Sequence, residues 1–570
     1  MRKFYIFSML LATIVACNKN SIDPENSPIE KPEEPAPVVK MITETVTGGT
    51  ESRTKATIAD SDASFSWSAG DNIAVHVSNG KYVFTSDTGA SGASTAAASA
   101  SFTVVYPDGC SRDAFAVYPS NIVIADAENY GQSGKSLDVT LPSSYTLAEV
   151  SGETSPCPMI ATNAPESGWS FCQICGMLRL TVKSIPADAT GLVIQFPGRK
   201  VNGAFSIASP VTPGTSIITN DAPGNGEDHI TVTFDAGTST EITFNIPLPT
   251  GKYEDVYITP VGSETKVAAV RHIKAASYNA SRARAKKLTA TLVAFSVSAT
   301  KKVIFAPGNL HATYNSSAQT WMWAFAAHQY DYIGNKGGNK MITTTTKEST
   351  APYAILSNDG TVDLFGRSTG DTYFGIATTS ENTYYSNSFK DWGNNIIGSY
   401  GADDWFTLSV AEWRYVTGRN DCRQTGGTVA GVSNALGTRA VVNGVKGFIV
   451  FPDNYSGLTP SGTSWVAGSI QDGSYKNSLK GWEEGTVATI TTTAAWEALE
   501  SEGCVFLPSA GARVGSNVYF DFSSQTGWGC YWASDYTGNG RVLRFNSDGY
   551  DPLQGWNAFY AESVRLVRAL

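Results

Sequence analysis

Apolar and polar positions alternate through much of the first half of the chain. In DNIAVHVSNGKYVF, Ile73, Val75 and Val77 keep a period of two, which resumes at Tyr82 and Phe84. That period predicts strands with one buried face. Asn79-Gly80 between the runs predicts a hairpin, because a type I′ turn needs positive φ at both central residues. His76 interleaves with Val75 and Val77, which puts it on the outer face of its strand. Asn202-Gly203 in GRKVNGAFSI repeats the turn signal, and EITFNIPLP and YEDVYITPV add short strands. Helical periodicity is scarce here, and turn signals recur about every 8–12 residues. Two β-sandwiches are expected, over residues 43–160 and 161–295.

The pattern changes near residue 296. In LSVAEWRYVTG, Ser409 and Glu412 form a capping box and Gly418 is placed to end the helix. TTAAWEALESEG predicts a second helix, closed by Gly503 and followed by the strand CVFLP. VVNGVKGFIVFP holds another Asn-Gly hairpin at Asn443-Gly444. Strands with two short helices make residues 296–570 an α+β domain. Eleven of the 13 tryptophans lie beyond residue 300. Trp413 and Trp496 are expected in helix cores. Tyr531 and Trp532 are neighbours in a strand, so only one of them is expected to face inward.

At the other end, Arg2 and Lys3 precede the apolar run Phe4–Val15, too short for a bilayer span, which needs about 20 residues. A charged start and a short apolar middle form a signal-peptide pattern over residues 1–16. Ile14-Val15-Ala16-Cys17 resembles a bacterial lipobox, which makes Cys17 the expected lipidation site and the membrane a partner through its acyl chains. Residues 17–42 carry Pro24, Pro28, Pro32, Pro35 and Pro37 among acidic residues, which predicts a stiff, solvated tether.

A net charge of −10 argues against a nucleic-acid partner. Eight cysteines are too few for a disulfide scaffold of this length. Cys172-Gln-Ile-Cys175 invites a zinc or redox reading. The alternation of Leu178, Leu180 and Val182, extended backwards, puts Cys172 on the inner face of the strand and Cys175 on the outer. On opposite faces they cannot chelate zinc together or pair with each other. The five histidines, at 76, 229, 272, 311 and 328, form no close pair or HExxH. No GxSxG or P-loop motif occurs. No catalytic residue, metal site or cofactor is expected. Pro452-Asp453-Asn454 reads as a turn.

ESRTKATIADSDASFSWSAGDNIAVHV, FAVYPS, CGMLRLTV and KVNGAFSI together resemble fimbrillin-like proteins of anaerobic Gram-negative bacteria. That resemblance covers residues 43–295 and implies two transthyretin-like β-sandwiches. It also implies proteolytic processing after an arginine in the first domain, here Arg53, and assembly with other fimbrial subunits by donor-strand exchange. VIFAPGNLHA, QYDYIG, LSVAEWRYV, GFIVFPDNYSG, VFLPSAGAR, GCYWASDY and ESVRLVRAL resemble a repeated surface-protein domain related to C-type-lectin-like folds, over residues 296–570. The resemblance departs at YWASDY, where Tyr-Trp-Ser-Ala-Ser is usual. The wider lectin-like group includes the enzyme that makes formylglycine, but Cys504 and Cys530 lack the motif around its paired cysteines. The signatures of calcium-dependent sugar binding are also missing.

The expected protein is a mainly β, non-enzymatic lipoprotein of the outer membrane. It would serve adhesion or sit at a fimbrial tip, with its C-terminal domain recognising a glycan or protein. The alternative is a glycan-binding surface lipoprotein of a nutrient-uptake system. Val564, Leu566 and Val567 look committed to the C-terminal core, so the chain is expected to accept a strand without donating one.

Overall fold

The computed structural model describes residues 39–47 and most of 56–332 and 361–570, chiefly without 86–98, 210–217, 219–225 and 368–388. Cys17, the tether to residue 38 and Arg53 lie outside the described residues. The fold is mainly β throughout.

The first hairpin forms where its pattern placed it, with Asn72–Val77 antiparallel to Gly80–Thr85 and Val77 opposite Gly80. These strands join Phe115–Tyr118, Met159–Ala164 and Gly168–Gln173 in one sheet. Lys135–Leu141 and Gly203–Ser209 complete this sandwich, whose core holds Ala74, Val117, Leu137, Val139, Ile160, Phe205 and Ile207. His76 is buried rather than outward. Its ring stacks on Phe115 with centroids 4.5 Å apart. Burial, with Lys81 nearby, lowers its pKa to about 4, so the ring is neutral near pH 7. Alternation could not show that a neighbouring strand supplies an aromatic cover for that face.

A second core gathers Leu178, Leu180, Leu192, Ile194, Phe244 and Ile258. The expected division at 160/161 falls inside the strand Met159–Ala164. Tyr145 and Val150, before that point, belong to the second core, while Phe205 and Ile207, after it, belong to the first. The two sandwiches therefore interleave along the sequence. Ser144–Thr146 pairs in parallel with His229–Thr233, and Gly203–Ser209 pairs with Lys135–Leu141. Asn202-Gly203 thus starts a strand with a distant partner and is no hairpin turn. Asn202 instead spans the crossing: its amide donates to the His229 carbonyl at 2.7 Å and accepts from the Glu227 N–H at 3.0 Å.

Residues 296–570 close on themselves. Lys302–Phe305 pairs with Leu566–Ala569, whose other edge is taken by Phe406–Thr407. Both helices form as expected, Val410–Thr417 and Thr493–Ser501. Ser409 Oγ accepts from the Glu412 N–H, the Glu412 carboxylate accepts from the Ser409 N–H, and Gly418 ends the turn at φ 87°. Asn443 and Gly444 have φ 49° and 80° between the paired strands Gly437–Val442 and Val445–Val450. Trp413 and Trp496 are packed, as expected of core residues. Tyr531 and Trp532 are both fully buried, contrary to expectation. Their strand, Gly529–Tyr536, carries a core on each face: Tyr531 packs with Trp413 and Phe448, Trp532 with Trp392 and Trp405.

The C-terminal region is fastened to the second sandwich. Tyr257, Ala268 and Val293 share one core with Phe305, Trp413 and Phe448. Lys183 pairs with Glu502 at 3.1 Å, Arg271 with Glu500 at 3.7 Å, and the Arg568 guanidinium lies 4.5 Å over Tyr257. Asp453 is more than the expected turn residue. Its buried carboxylate accepts from Arg423 at 2.6 Å, Thr425 at 2.7 Å, and the hydroxyl and N–H of Ser296 at 2.6 and 3.2 Å. Burial alone would raise its pKa, but Arg423 and these donors hold it below the usual carboxylate value. At the same junction His272 Nδ1 meets Asp255 at 2.6 Å, with Glu254, Glu500 and the buried Tyr400 nearby.

Two outcomes follow from these groups. Asp453→Ala leaves the Arg423 charge buried and uncompensated, so urea unfolding should show a loss of about 3–5 kcal/mol. A loss below about 1 kcal/mol would remove this pair from the structural account. Burial lowers the His272 pKa, yet Asp255 and the other carboxylates raise it above the ordinary 6.5 overall. A raised folded pKa gives stability that is full below the unfolded value and lost as pH rises through the folded one. The stability advantage of the native chain over His272→Gln should therefore be full below about pH 6 and shrink as the pH rises through the raised folded-state pKa. A pH-independent difference would contradict the ion pair.

Candidate functional site

Where the chain crosses between the sandwiches, a cleft of about 620 Å³ opens. One wall comes from the first sandwich. Asp71 precedes the strand Asn72–Val77, and its carboxylate accepts from the Tyr118 hydroxyl at 3.1 Å. The Ser120 N–H to the Asn72 carbonyl, 3.0 Å, and the Ile122 N–H to the Pro119 carbonyl, 3.1 Å, set the turn after Tyr118. The opposite wall is the link from Lys135–Leu141 into the second core: Pro142, Ser144, Tyr145 and the short helix Leu147–Val150. Glu149 on that helix accepts from the N–H and hydroxyl of Thr146 at 2.7 and 2.9 Å. Pro158 and Pro247 complete the lining.

The cleft presents two carboxylates, the amide of Asn121 and the hydroxyls of Ser120 and Ser144 among proline rings. Small-molecule sites generally set a few polar groups on an apolar frame, and this volume lies in their usual range. The carboxylates disfavour anions, while the hydrogen-bonding groups suit a neutral hydroxylated ligand. Burial, then the Asp71 charge, pushes the Tyr118 phenol up; burial, then Cys175 and Glu149, does the same at Tyr145. Both phenols therefore stay protonated and serve as neutral walls. At 5% and 8% exposure their faces offer no stacking platform.

The aromatic wealth of the C-terminal region goes largely into its core, while Trp321 and Trp465 are half-buried. Trp392, Trp405, Trp413, Trp496 and Trp532 are among its largest fully buried side chains. Arg565, also buried, donates to Asn309 at 3.3 Å and Gln329 at 2.6 Å, which fixes the frame rather than a site. Cys172 and Cys175 are both buried, not on opposite faces of one strand. The strand breaks between them: Gly168–Gln173 belongs to the first sandwich and Gly176–Lys183 to the second. Among the described residues, no group of three His, Cys, Asp or Glu side chains is placed to hold a metal, and no helix is long and apolar enough to cross a membrane. Sequence reading missed the cleft, although Thr146 followed by Glu149 carries the capping signature that builds one wall.

No family model and no curated protein matches the chain. Among solved structures, it is similar to a "putative cell adhesion protein" from Bacteroides ovatus, with 11% identity and a TM-score of 0.26 over 40% of this chain and 83% of that one. A protein of the same description from Bacteroides uniformis gives 17% identity and a TM-score of 0.25 over 43% and 93%. One from Bacteroides fragilis gives 11% and 0.22 over 50% and 97%. Scores of this size carry no ligand or activity across.

Tyr118→Phe removes the donor to a buried carboxylate and should cost about 1.5–3 kcal/mol in urea unfolding. No measurable loss would detach Tyr118 from the support of the cleft.

Proposed function

We propose that the chain is a non-enzymatic, lipid-anchored outer-membrane protein of the fimbrillin-like class, acting in adhesion, with residues 296–570 as a lectin-like recognition head. The observation that carries this reading is the contrast between its first and last strands. Val39–Thr47 lies wholly before Arg53 and, among the described residues, pairs only with Ser99–Pro107, from Val39 opposite Pro107 to Thr47 opposite Ser99. Cleavage after Arg53 would free that strand and open the Ser99–Pro107 edge to a neighbour's strand. Such addition supplies main-chain hydrogen bonds along the edge and pockets for alternate side chains. Leu566–Ala569, by contrast, is held on both edges, with Val564, Leu566 and Val567 fully buried. An acceptor whose strand Leu566–Ala569 is already committed on both edges suits a tip position. The shared core between the second sandwich and the head suits a tip that must keep its orientation under load.

The second reading, glycan capture for uptake, is favoured by the cleft between the sandwiches. Both begin at an acylated Cys17, but only the first releases the body by cleavage.

N-terminal sequencing of membrane and sheared-fimbria fractions separates them. Tip assembly predicts acylated Cys17 on membrane-bound chains and Thr54 as the first residue in fimbriae. Chains that keep Cys17, stay out of fimbriae and bind neutral oligosaccharide would overturn the tip reading in favour of capture. Uptake of no labelled fatty acid, by native chain and Cys17→Ser alike, would remove the anchor.

A further inference from the structure

The ladder between Met159–Ala164 and Gly168–Gln173 sets Met159 opposite Gln173. It runs on by one hydrogen bond, from the Ile174 N–H to the Pro158 carbonyl at 3.1 Å. One step further in the same register, Cys157 stands opposite Cys175. Because Pro158 and Ile174 carry the hydrogen bond, the cysteines occupy a non-hydrogen-bonded pair, whose Cα atoms lie about 4.5 Å apart with side chains close. A disulfide needs Cα atoms about 4.4–6.8 Å apart. The two Sγ atoms are 3.8 Å apart, both as thiols, and both side chains are buried. Cys172 stands elsewhere in this ladder, opposite Ile160.

We propose that Cys157 and Cys175 close a disulfide that fastens the point where the chain leaves the first sandwich for the second. Gly176, the next residue, opens the second sandwich's strand Gly176–Lys183. Both thiols lie close behind the cleft, near enough to Tyr145 and, for Cys157, to Tyr118 to perturb those phenols. The bond would brace the cleft from behind as well as the crossing.

The oxidant is a small or protein disulfide. One cysteine thiolate attacks its S–S bond, forming a mixed disulfide and releasing one thiolate. The second cysteine thiolate then attacks the first cysteine's sulfur and expels the other half of the oxidant. The cysteines lose two electrons and two protons, and the oxidant leaves as two thiols. Burial, with the Cys157 hydrogen bond next, pushes the Cys175 thiol well above its usual range, so the thiolate is scarce once the pair is covered. The bond therefore forms as the chain folds.

The full-length chain, reduced and unfolded, is refolded with oxidised and reduced glutathione. Free thiols are then blocked with N-ethylmaleimide in denaturant and the chain is digested without reduction. Mass spectrometry should find the Cys157 and Cys175 peptides joined, two hydrogens lighter than their sum, with Cys172 blocked. The thermal midpoint should fall by several degrees on reduction in the native chain and in Cys172→Ser, but not in Cys157→Ser. Recovery of Cys157 and Cys175 both blocked, or of Cys175 joined to Cys172, overturns the proposal. Should Cys157→Ser fail to fold, Cys172→Ser still decides it, because its crosslink must persist.

Discussion

A carboxylate buried away from water must be surrounded by donors, and Asp453 meets that demand from two separate segments. Arg423 follows the helix Val410–Thr417, Thr425 lies just beyond it, and Ser296 sits on the strand leading out of the second sandwich. The Asp453 N–H also donates to the Ala294 carbonyl at 2.8 Å. Arg423 in turn donates to the carbonyls of Val416, Leu436 and Phe451. One ion pair therefore positions the entry strand, the helix end and two loops. An apolar pair could match its stability, but apolar contacts are non-directional and would not demand these carbonyls in these places.

The N-terminal half obeys a different constraint. Its two cores are built from alternating pieces of the chain, so neither is complete until residues far apart in sequence have met. Tyr145 and Phe205 each sit in the core that the other's neighbours in sequence would suggest. Forming such non-local pairings costs loop entropy before contacts repay it. The reward is several covalent crossings between sandwiches, and the cleft lies among them. Its walls are held by hydrogen bonds on one side and a capped helical turn on the other, so a ligand there would touch both sandwiches.

A further constraint concerns the strand edges. An exposed edge is a pairing site, and sheets normally cover theirs. The last strand is covered on both sides, whereas the edge of Ser99–Pro107 is covered by a strand ahead of Arg53. The junction with the C-terminal region combines apolar packing at Tyr257 and Val293 with ion pairs at Lys183 and Arg271. Held this way, the C-terminal region turns with the second sandwich.

Much of the local structure was legible in the sequence. The capping box at Ser409 and Glu412, the hairpin at Asn443-Gly444 and the helix ended by Gly503 are set by residues within a few positions of one another. Such interactions need no knowledge of the rest of the chain. His76, Asn202, Cys175 and Trp532 departed from expectation for a common reason: each is governed by a partner from another strand. Periodicity tells which residues share a face, not what covers it or which strand lies alongside. Asp453 looked like a turn residue because Arg423 is thirty positions away in sequence and 2.6 Å away in space. The cleft and the Cys157–Cys175 register were hidden for the same reason. Turns, caps and alternation are short-range and can be read from the chain alone, whereas strand partners, buried charges and cavities exist only once long-range packing has chosen among many compatible pairings.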